Sequence, residues 1–184
     1  MSVNNKIMNY CIECGTKLEQ KQLNGEGYIP CCPHCETFRF PIFSIGCSMI
    51  VMNKEQTKIL LIKQYGMEDY ILVAGYITQG EDAEQTVVRE IQEELGVTPQ
   101  EIRFNRSHYY PPSNTLMINF RVILDSEEIH PNHEIDSFQW FPVEEAKKQV
   151  RPSSLARDFL VGMLEGSYHF HDSTYGRKND PYTD

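Results

Sequence analysis

The segment GYITQGEDAEQTVVREIQEELGV, Gly75 to Val97, places Glu90, Glu93 and Glu94 within five residues, with Glu81 and Asp82 just ahead of them. Carboxylates are hard oxygen donors suited to Mg²⁺ or Mn²⁺, and they can also carry protons. As bare anions on a helix they repel, because residues three and four apart lie about 5–6 Å from each other and a like-charge pair there costs a few tenths of a kcal/mol. At about 100° per residue, Glu93 and Glu94 flank Glu90 by about 60° and 40°, so the three form one stripe. Their i+4 neighbours are Glu94, Val97 and Thr98, none of them basic, and only Arg89 is close by. A solvated acidic face is the competing explanation of such a run. Binding of divalent cations accounts better for the missing basic partners.

A second group of chemically capable residues lies at the front of the chain. Five of the six cysteines fall between Cys11 and Cys35, in CIECG and CCPHC. Cys11-x-x-Cys14 and Cys32-x-x-Cys35 have the spacing of two knuckles that surround one Zn²⁺ with four thiolates. Cys31 competes with Cys32, but Cys31 to Cys35 would leave three intervening residues, so Cys32 is the expected ligand; His34 is expected at the surface. Gly15 suits a knuckle turn that needs a positive φ. A disulfide pair or a redox CxxC is the alternative, yet a chain without a secretory signal is expected in a reducing compartment. About 35 residues cannot build a stable core unaided, and a bound metal can supply the missing folding energy. With all four positions filled by cysteine, such a zinc is structural.

The elements that must position these residues follow from patterning. IFSIGCSMIVM, KILLIKQY after the polar turn NKEQ, and YILVAGY read as strands. Cys47, within the first of them, is expected as buried packing. From Asp82 to Leu95, Val87, Val88, Ile91 and Leu95 recur on one helical face, so that the acidic stripe lies beside the apolar one; Gly96 stops the helix and Pro99 bars its continuation. SFQWF reads as an aromatic strand. A last helix spans about Ser153 to Leu164, its stripe of Leu155, Phe159, Leu160 and Met163 facing a core or a dimer partner.

The acidic segment also matches the signature of the Nudix hydrolases, Gx5Ex7REUxEExGU with U a bulky aliphatic residue, at Gly75, Glu81, Arg89, Glu90, Ile91, Glu93, Glu94, Gly96 and Val97. The resemblance implies an α/β fold: a mixed β-sheet sandwiched between helices, here preceded by a small zinc ribbon. It implies hydrolysis of a nucleoside diphosphate linked to another moiety. Glu90, Glu93 and Glu94 are then ligands of catalytic Mg²⁺ or Mn²⁺, Glu81 assists, Arg89 orients the carboxylates, and an activated water attacks phosphorus in line. A four-cysteine ribbon ahead of such a domain resembles the NADH pyrophosphatase branch, which carries SQPWPFPxS after the box. SHYYPPSNT, residues 107 to 115, stands there, with Ser107 and Pro111 matching, Tyr110 in place of Trp and Thr115 in place of the last Ser.

That branch implies several further residues. Tyr76 holds the position of an aromatic that stacks on adenine, and Tyr offers the flat π surface this needs. With Tyr110, Thr115, Met117 and Ala156 it forms the expected set of substrate contacts; the alternative is that Tyr109, Tyr110 and Pro112 simply pack a loop. Glu134, a few residues before SFQWF, is the expected further metal ligand or base, while the adjacent His133 is expected at the surface. The branch usually carries a domain ahead of its ribbon, which is expected to be missing here, and its members form homodimers, which implies a homodimer for this chain.

The domains expected are a zinc ribbon at 1–38, the hydrolase domain at 39–166 and a polar, largely unstructured tail at 167–184. A formal charge of −9 argues against broad contact with a nucleic-acid backbone. No apolar run is long enough for a membrane span and MSVNNKIMNY lacks the apolar core of a signal peptide, so a cytoplasmic protein is expected. The leading reading is cleavage of NADH or NAD⁺ to nicotinamide mononucleotide and AMP. ADP-ribose or another nucleoside diphosphate derivative, including an NAD-capped RNA end, is the alternative substrate. A nucleotide-sensing regulator without catalysis is the alternative of another class.

Overall fold

A computed structural model describes residues 8–166. They divide between Phe43 and Ser44 into two compact units, against the sequence-based boundary between residues 38 and 39. The tail expected at 167–184 lies outside the described residues. Among those described, no helix is long and apolar enough to cross a membrane.

The smaller unit is a three-stranded antiparallel sheet of β1 (Glu19–Leu23), β2 (Gly27–Cys32) and β3 (Thr37–Phe38), in that order. Its first knuckle closes through the amide of Gly15 donating to the Cys11 carbonyl at 2.9 Å, with Gly15 at φ +72°. The second knuckle repeats this conformation at Glu36, φ +56°, where the sequence offers no glycine to announce it.

In the larger unit, β4 (Ser44–Met52), β5 (Lys58–Gln64), β6 (Val73–Tyr76), β7 (Glu101–Tyr110), β8 (Thr115–Ile123) and β9 (Ile135–Pro142) form one mixed sheet. The order is β7-β8-β4-β5-β9, with β4 and β8 parallel and the other neighbours antiparallel. β6 pairs with the first half of β4, from Gly46 to Met49, while β5 meets β4 only at Met52.

Alternation along β4 and β5 splits the core in two. Cys47, Met49, Val51, Leu60 and Ile62 pack with Val87, Ile91 and Leu95 of α1 (Ala83–Leu95). Ile50, Met52, Ile59 and Leu61 pack with Ala146 of α2 (Val143–Gln149) and with Phe159 and Leu160 of α3 (Leu155–Glu165). Successive strand residues point to opposite faces, so the sheet is covered by helices on both sides, as the α/β sandwich reading requires. The stripe of α3 is core.

Three local readings need correction. β6 begins at Val73 rather than at Tyr70, whose stretch joins the sheet only through isolated bridges. Residues 107–110 are no loop: they end the ten-residue β7, and a 3-10 turn, Pro111–Ser113, links it to β8. Tyr65 leaves β5 with a left-handed backbone, φ +56°.

Candidate functional site

The acidic stripe is carried by α1, which ends as its sequence predicts. Gly96 adopts φ +68° and its amide donates to the Gln92 carbonyl at 3.1 Å. The stripe is not simply beside the docked face. Glu90 is 9% and Glu94 4% exposed, whereas the side chain of Glu93 is 56% exposed. Two of the three carboxylates are thus taken out of water, which is costly unless each has partners.

Arg89 supplies most of them. Its Nε donates to Glu81 Oε1 at 2.6 Å and its Nη2 to Glu81 Oε2 at 3.0 Å, a two-pronged pair. Nη1 reaches Glu90 Oε1 at 2.7 Å and Glu93 Oε2 at 3.0 Å, and Nη2 also donates to the Tyr76 carbonyl at 3.0 Å. The stripe therefore does have a basic partner at i,i+4, read backwards from Glu93, which corrects the view that it lacks one. The Arg89 guanidinium, with the Thr78 amide, holds the Glu81 carboxyl far below the usual carboxylate range.

Glu94 is treated differently. Gln64, itself buried, donates from Nε2 to Glu94 Oε2 at 3.0 Å. Burial, reinforced by the charges of Glu90 and Glu134, still pushes Glu94 up from 4.5 to about 7. Glu134, from the turn before β9, thus comes within electrostatic reach of the α1 carboxylates, and its Oε2 accepts from the Tyr65 hydroxyl at 3.2 Å. Gly75 on β6 completes the close packing: a Cβ there would overlap the Glu90 carboxylate. This glycine is required by space and not by backbone conformation.

The other expected contacts fall in two places. Tyr76 follows Gly75 on β6 and is 60% exposed, and its backbone carbonyl accepts from Arg89. Tyr110 is partly exposed at the end of β7. Thr115 is buried, its hydroxyl donating to the Ser113 carbonyl at 3.1 Å. Met117 and Ala156 are partly buried against the core formed with α2 and α3.

The four cysteines form a cluster of another kind. The sulfurs of Cys11, Cys14, Cys32 and Cys35 all lie within 4.8 Å of one another, with Cys14–Cys32 at 3.5 Å, Cys14–Cys35 at 3.4 Å and Cys11–Cys35 at 3.9 Å. Four thiolates about 2.3 Å from a tetrahedral Zn²⁺ stand about 3.8 Å apart, so the donor set fits that ion. Cys31 points elsewhere and His34 stays exposed outside the group. Arg39 donates to Cys11 Sγ at 3.1 Å and to Glu13 Oε2 at 2.7 Å. Burial alone would raise the Cys11 thiol, but the amides of Cys14 and Glu13 and the Arg39 guanidinium bring it down to about 6. Its neighbours, Cys14 first, push Cys35 up to about 12. Cys47 is buried in the sheet and pushed up to about 12 by that burial.

Sequence reasoning missed Gln64, Tyr65 and Arg39. Gln64 had a signal: it follows Leu60 and Ile62 on the core-facing alternation of β5, where a polar group needs a buried partner.

The helix with its gathered carboxylates, on a mixed sheet between helices, defines the class. The profile of the NUDIX domain matches residues 44–159, and the chain belongs to that family. A Pseudomonas aeruginosa protein named NAD-capped RNA hydrolase NudC is 31% identical over 154 residues, covering 82% of this chain and 54% of that protein. A Vibrio parahaemolyticus protein of the same name is 31% identical over 160 residues, covering 83% and 58%. The chain thus spans little more than half the length of these curated relatives. In fold it is similar to a crystal structure of a NUDIX hydrolase from Nitrosomonas europaea, with a TM-score of 0.62 and 22% identity over 89% of this chain and 97% of that one.

Proposed function

We propose that this chain is a metal-dependent pyrophosphohydrolase that cleaves the diphosphate of a dinucleotide such as NADH or NAD⁺ to nicotinamide mononucleotide and AMP. The observation that carries the reading is the set of Glu90, Glu93 and Glu94, two of them buried, on one helix with Glu134 within electrostatic reach. Hard oxygen donors of this number suit Mg²⁺ or Mn²⁺, and a cation beside Glu94, which burial and the neighbouring carboxylates raise, would favour its charged form. Glu90, Glu93, Glu94 and Glu134 would hold such ions. The chemistry supplied there would be charge neutralisation of the diphosphate and activation of a water as nucleophile.

The residues of the chain do the rest. Arg89, fixed by Glu81 and the Tyr76 carbonyl, keeps Glu90 and Glu93 in register along the helix. Glu134, approaching from a separate element, would serve either as a further metal ligand or as the base that takes a proton as water adds to phosphorus and the P–O–P bridge opens, each half leaving as a monophosphate. The exposed ring of Tyr76 offers a face on which a base can stack. In the smaller unit the four thiolates would hold one structural Zn²⁺. A homodimer is the assembly that the resemblance implies, to be read from light scattering.

A second substrate is favoured by the relatives' names: the 5′ end of an NAD-capped RNA carries the same dinucleotide diphosphate. A panel of NADH, NAD⁺, ADP-ribose and NAD-capped RNA with Mg²⁺ and Mn²⁺, products separated by chromatography, tests the proposal. Release of the mononucleotide and AMP from NADH is the expected result. Far faster turnover of ADP-ribose would overturn the substrate assignment, and hydrolysis of none of them would overturn the reaction.

A further inference from the structure

The turn after β5 breaks a local rule. The Met67 amide donates to the Gln64 carbonyl at 3.1 Å, closing a four-residue turn whose central residues, Tyr65 and Gly66, both have positive φ, +56° and +69°. Turns of this kind are filled by Gly, Asn and Asp, because a side chain with a Cβ is strained in the left-handed region. Glycine meets that demand at the second position. At the first stands a bulky aromatic, and it is 74% exposed, so no burial of its ring repays the strain. Local rules are broken where function needs them broken, and strain of this sort persists only when the surroundings enforce it.

The surroundings do enforce it. The ladder between β5 and β9 slips between Lys63 and Gln64, so that Gln64 faces Ile135 and Asp136 drops out of register. The freed Asp136 carboxylate accepts from the Gly66 amide at 2.7 Å and pins the turn. A bulge of this type re-aims side chains beside a site. Here consecutive residues of one strand end reach two carboxylates on different elements: Gln64 holds Glu94 of α1, and the Tyr65 hydroxyl holds Glu134 of the turn before β9.

We propose that Tyr65 is a positioning residue, retained in a strained turn because its hydroxyl sets the Glu134 carboxylate against the α1 carboxylates. This rests on the reading of Glu134 as part of the reacting site.

The test uses the full chain with Mg²⁺ and the substrate that it turns over. Tyr65→Phe, which removes only the hydroxyl, lowers kcat about three- to tenfold, the rate equivalent of one ordinary hydrogen bond. KM stays within about twofold, because no uniform substrate binding is lost. In a Glu134→Gln background the same change adds nothing further. Tyr65→Gly relaxes the backbone, so it melts no lower than the parent yet loses at least as much kcat, an outcome that a merely structural turn would reverse. Unchanged kcat in Tyr65→Phe, a raised KM with kcat intact, or effects that multiply with Glu134→Gln each overturn the proposal. Full activity of Glu134→Gln, or no turnover by the parent, would sink the reading of the site and this inference with it. A slowed Glu134→Gln beside an unaffected Tyr65→Phe sinks the tyrosine alone.

Discussion

The cysteine cluster of the smaller unit and the glutamate cluster of α1 are both crowded sets of anions steadied by one arginine, Arg39 in the first and Arg89 in the second. They differ in how far the donors already converge. Among the described residues, the four sulfurs stand together at metal-holding separation. The glutamates instead turn to protein partners, Glu81, Glu90 and Glu93 to Arg89, Glu94 to Gln64 and Glu134 to Tyr65. Soft thiolates that fill all four tetrahedral positions leave nothing for a substrate to bind, which is the chemistry of a structural ion. Hard carboxylates spread over a helix and a turn, part buried and part exposed, can admit ions together with phosphate oxygens and water. The same electrostatic difficulty is thus closed off in one region and left usable in the other.

The largest expected effect tests the usable side. Glu94→Gln should lower turnover by more than about a hundredfold, because groups that merely orient metal ligands typically cost 10–100-fold when lost. The isosteric amide removes the buried charge, so melting should be preserved, and steady-state kinetics with Mg²⁺ read the loss. Activity near the parent's would mean that Glu94 only packs. On the closed side, Cys14→Ser should remove the zinc, roughly one per chain in the parent by elemental analysis. Amide-exchange protection across β1 to β3 should vanish, while that of β4 and β8 stays, since their apolar core is their own. A zinc-free protein with β1 to β3 still protected would break the contrast.

A smaller effect is expected where space alone is at stake. Gly75→Ala places a methyl group on the Glu90 carboxylate. That carboxylate must move, and a displacement of about 1 Å at a reacting site can cost on the order of 100-fold, so a loss of about 10- to 100-fold in kcat is expected. A kcat unchanged by the methyl group would show that the position of Glu90 is not critical.

How much of this was legible follows from which forces are local. The period of α1, its Gly96 stop and the two CxxC knuckles are written in short stretches, and each was readable. What escaped depends on partners distant in sequence. The β7–β8 pair was hidden behind polar and aromatic residues read as a loop, because only the ladder to β8 makes Ser107–Tyr110 a strand. The burial of Glu90 and Glu94 could not be seen from the helix alone; it needs β6, whose glycine lets the carboxylate in, and the strand end that brings Gln64. Tyr65 looked like the last residue of a strand, because the bulge that turns it left-handed is set by Asp136, 70 residues beyond Gly66.

The smallest effect concerns protons. In the metal-free groove Glu94 is raised from 4.5 to about 7, chiefly by burial and then by the charges of Glu90 and Glu134. Between those values the folded protein keeps a proton that the unfolded chain has released, so the free energy of unfolding falls as pH rises. This contribution is complete below about 4.5 and gone once pH has passed about 7. Melting of the larger unit, followed by the fluorescence of Trp140, the single tryptophan, should therefore drop by a few degrees from pH 5.5 to 7.5 in magnesium-free protein that retains its zinc, about 1 kcal/mol corresponding to roughly 2–4 °C at this size. Added Mg²⁺ or Mn²⁺ should recover most of the drop, since a cation beside the carboxylate favours its charged form. Glu94→Gln should flatten the slope and remove the response to metal. No comparable slope is expected in zinc-loaded β1 to β3, whose thiolates are already matched by their ion. If the pH slope persisted in Glu94→Gln, the buried carboxylate would not be what separates the two clusters.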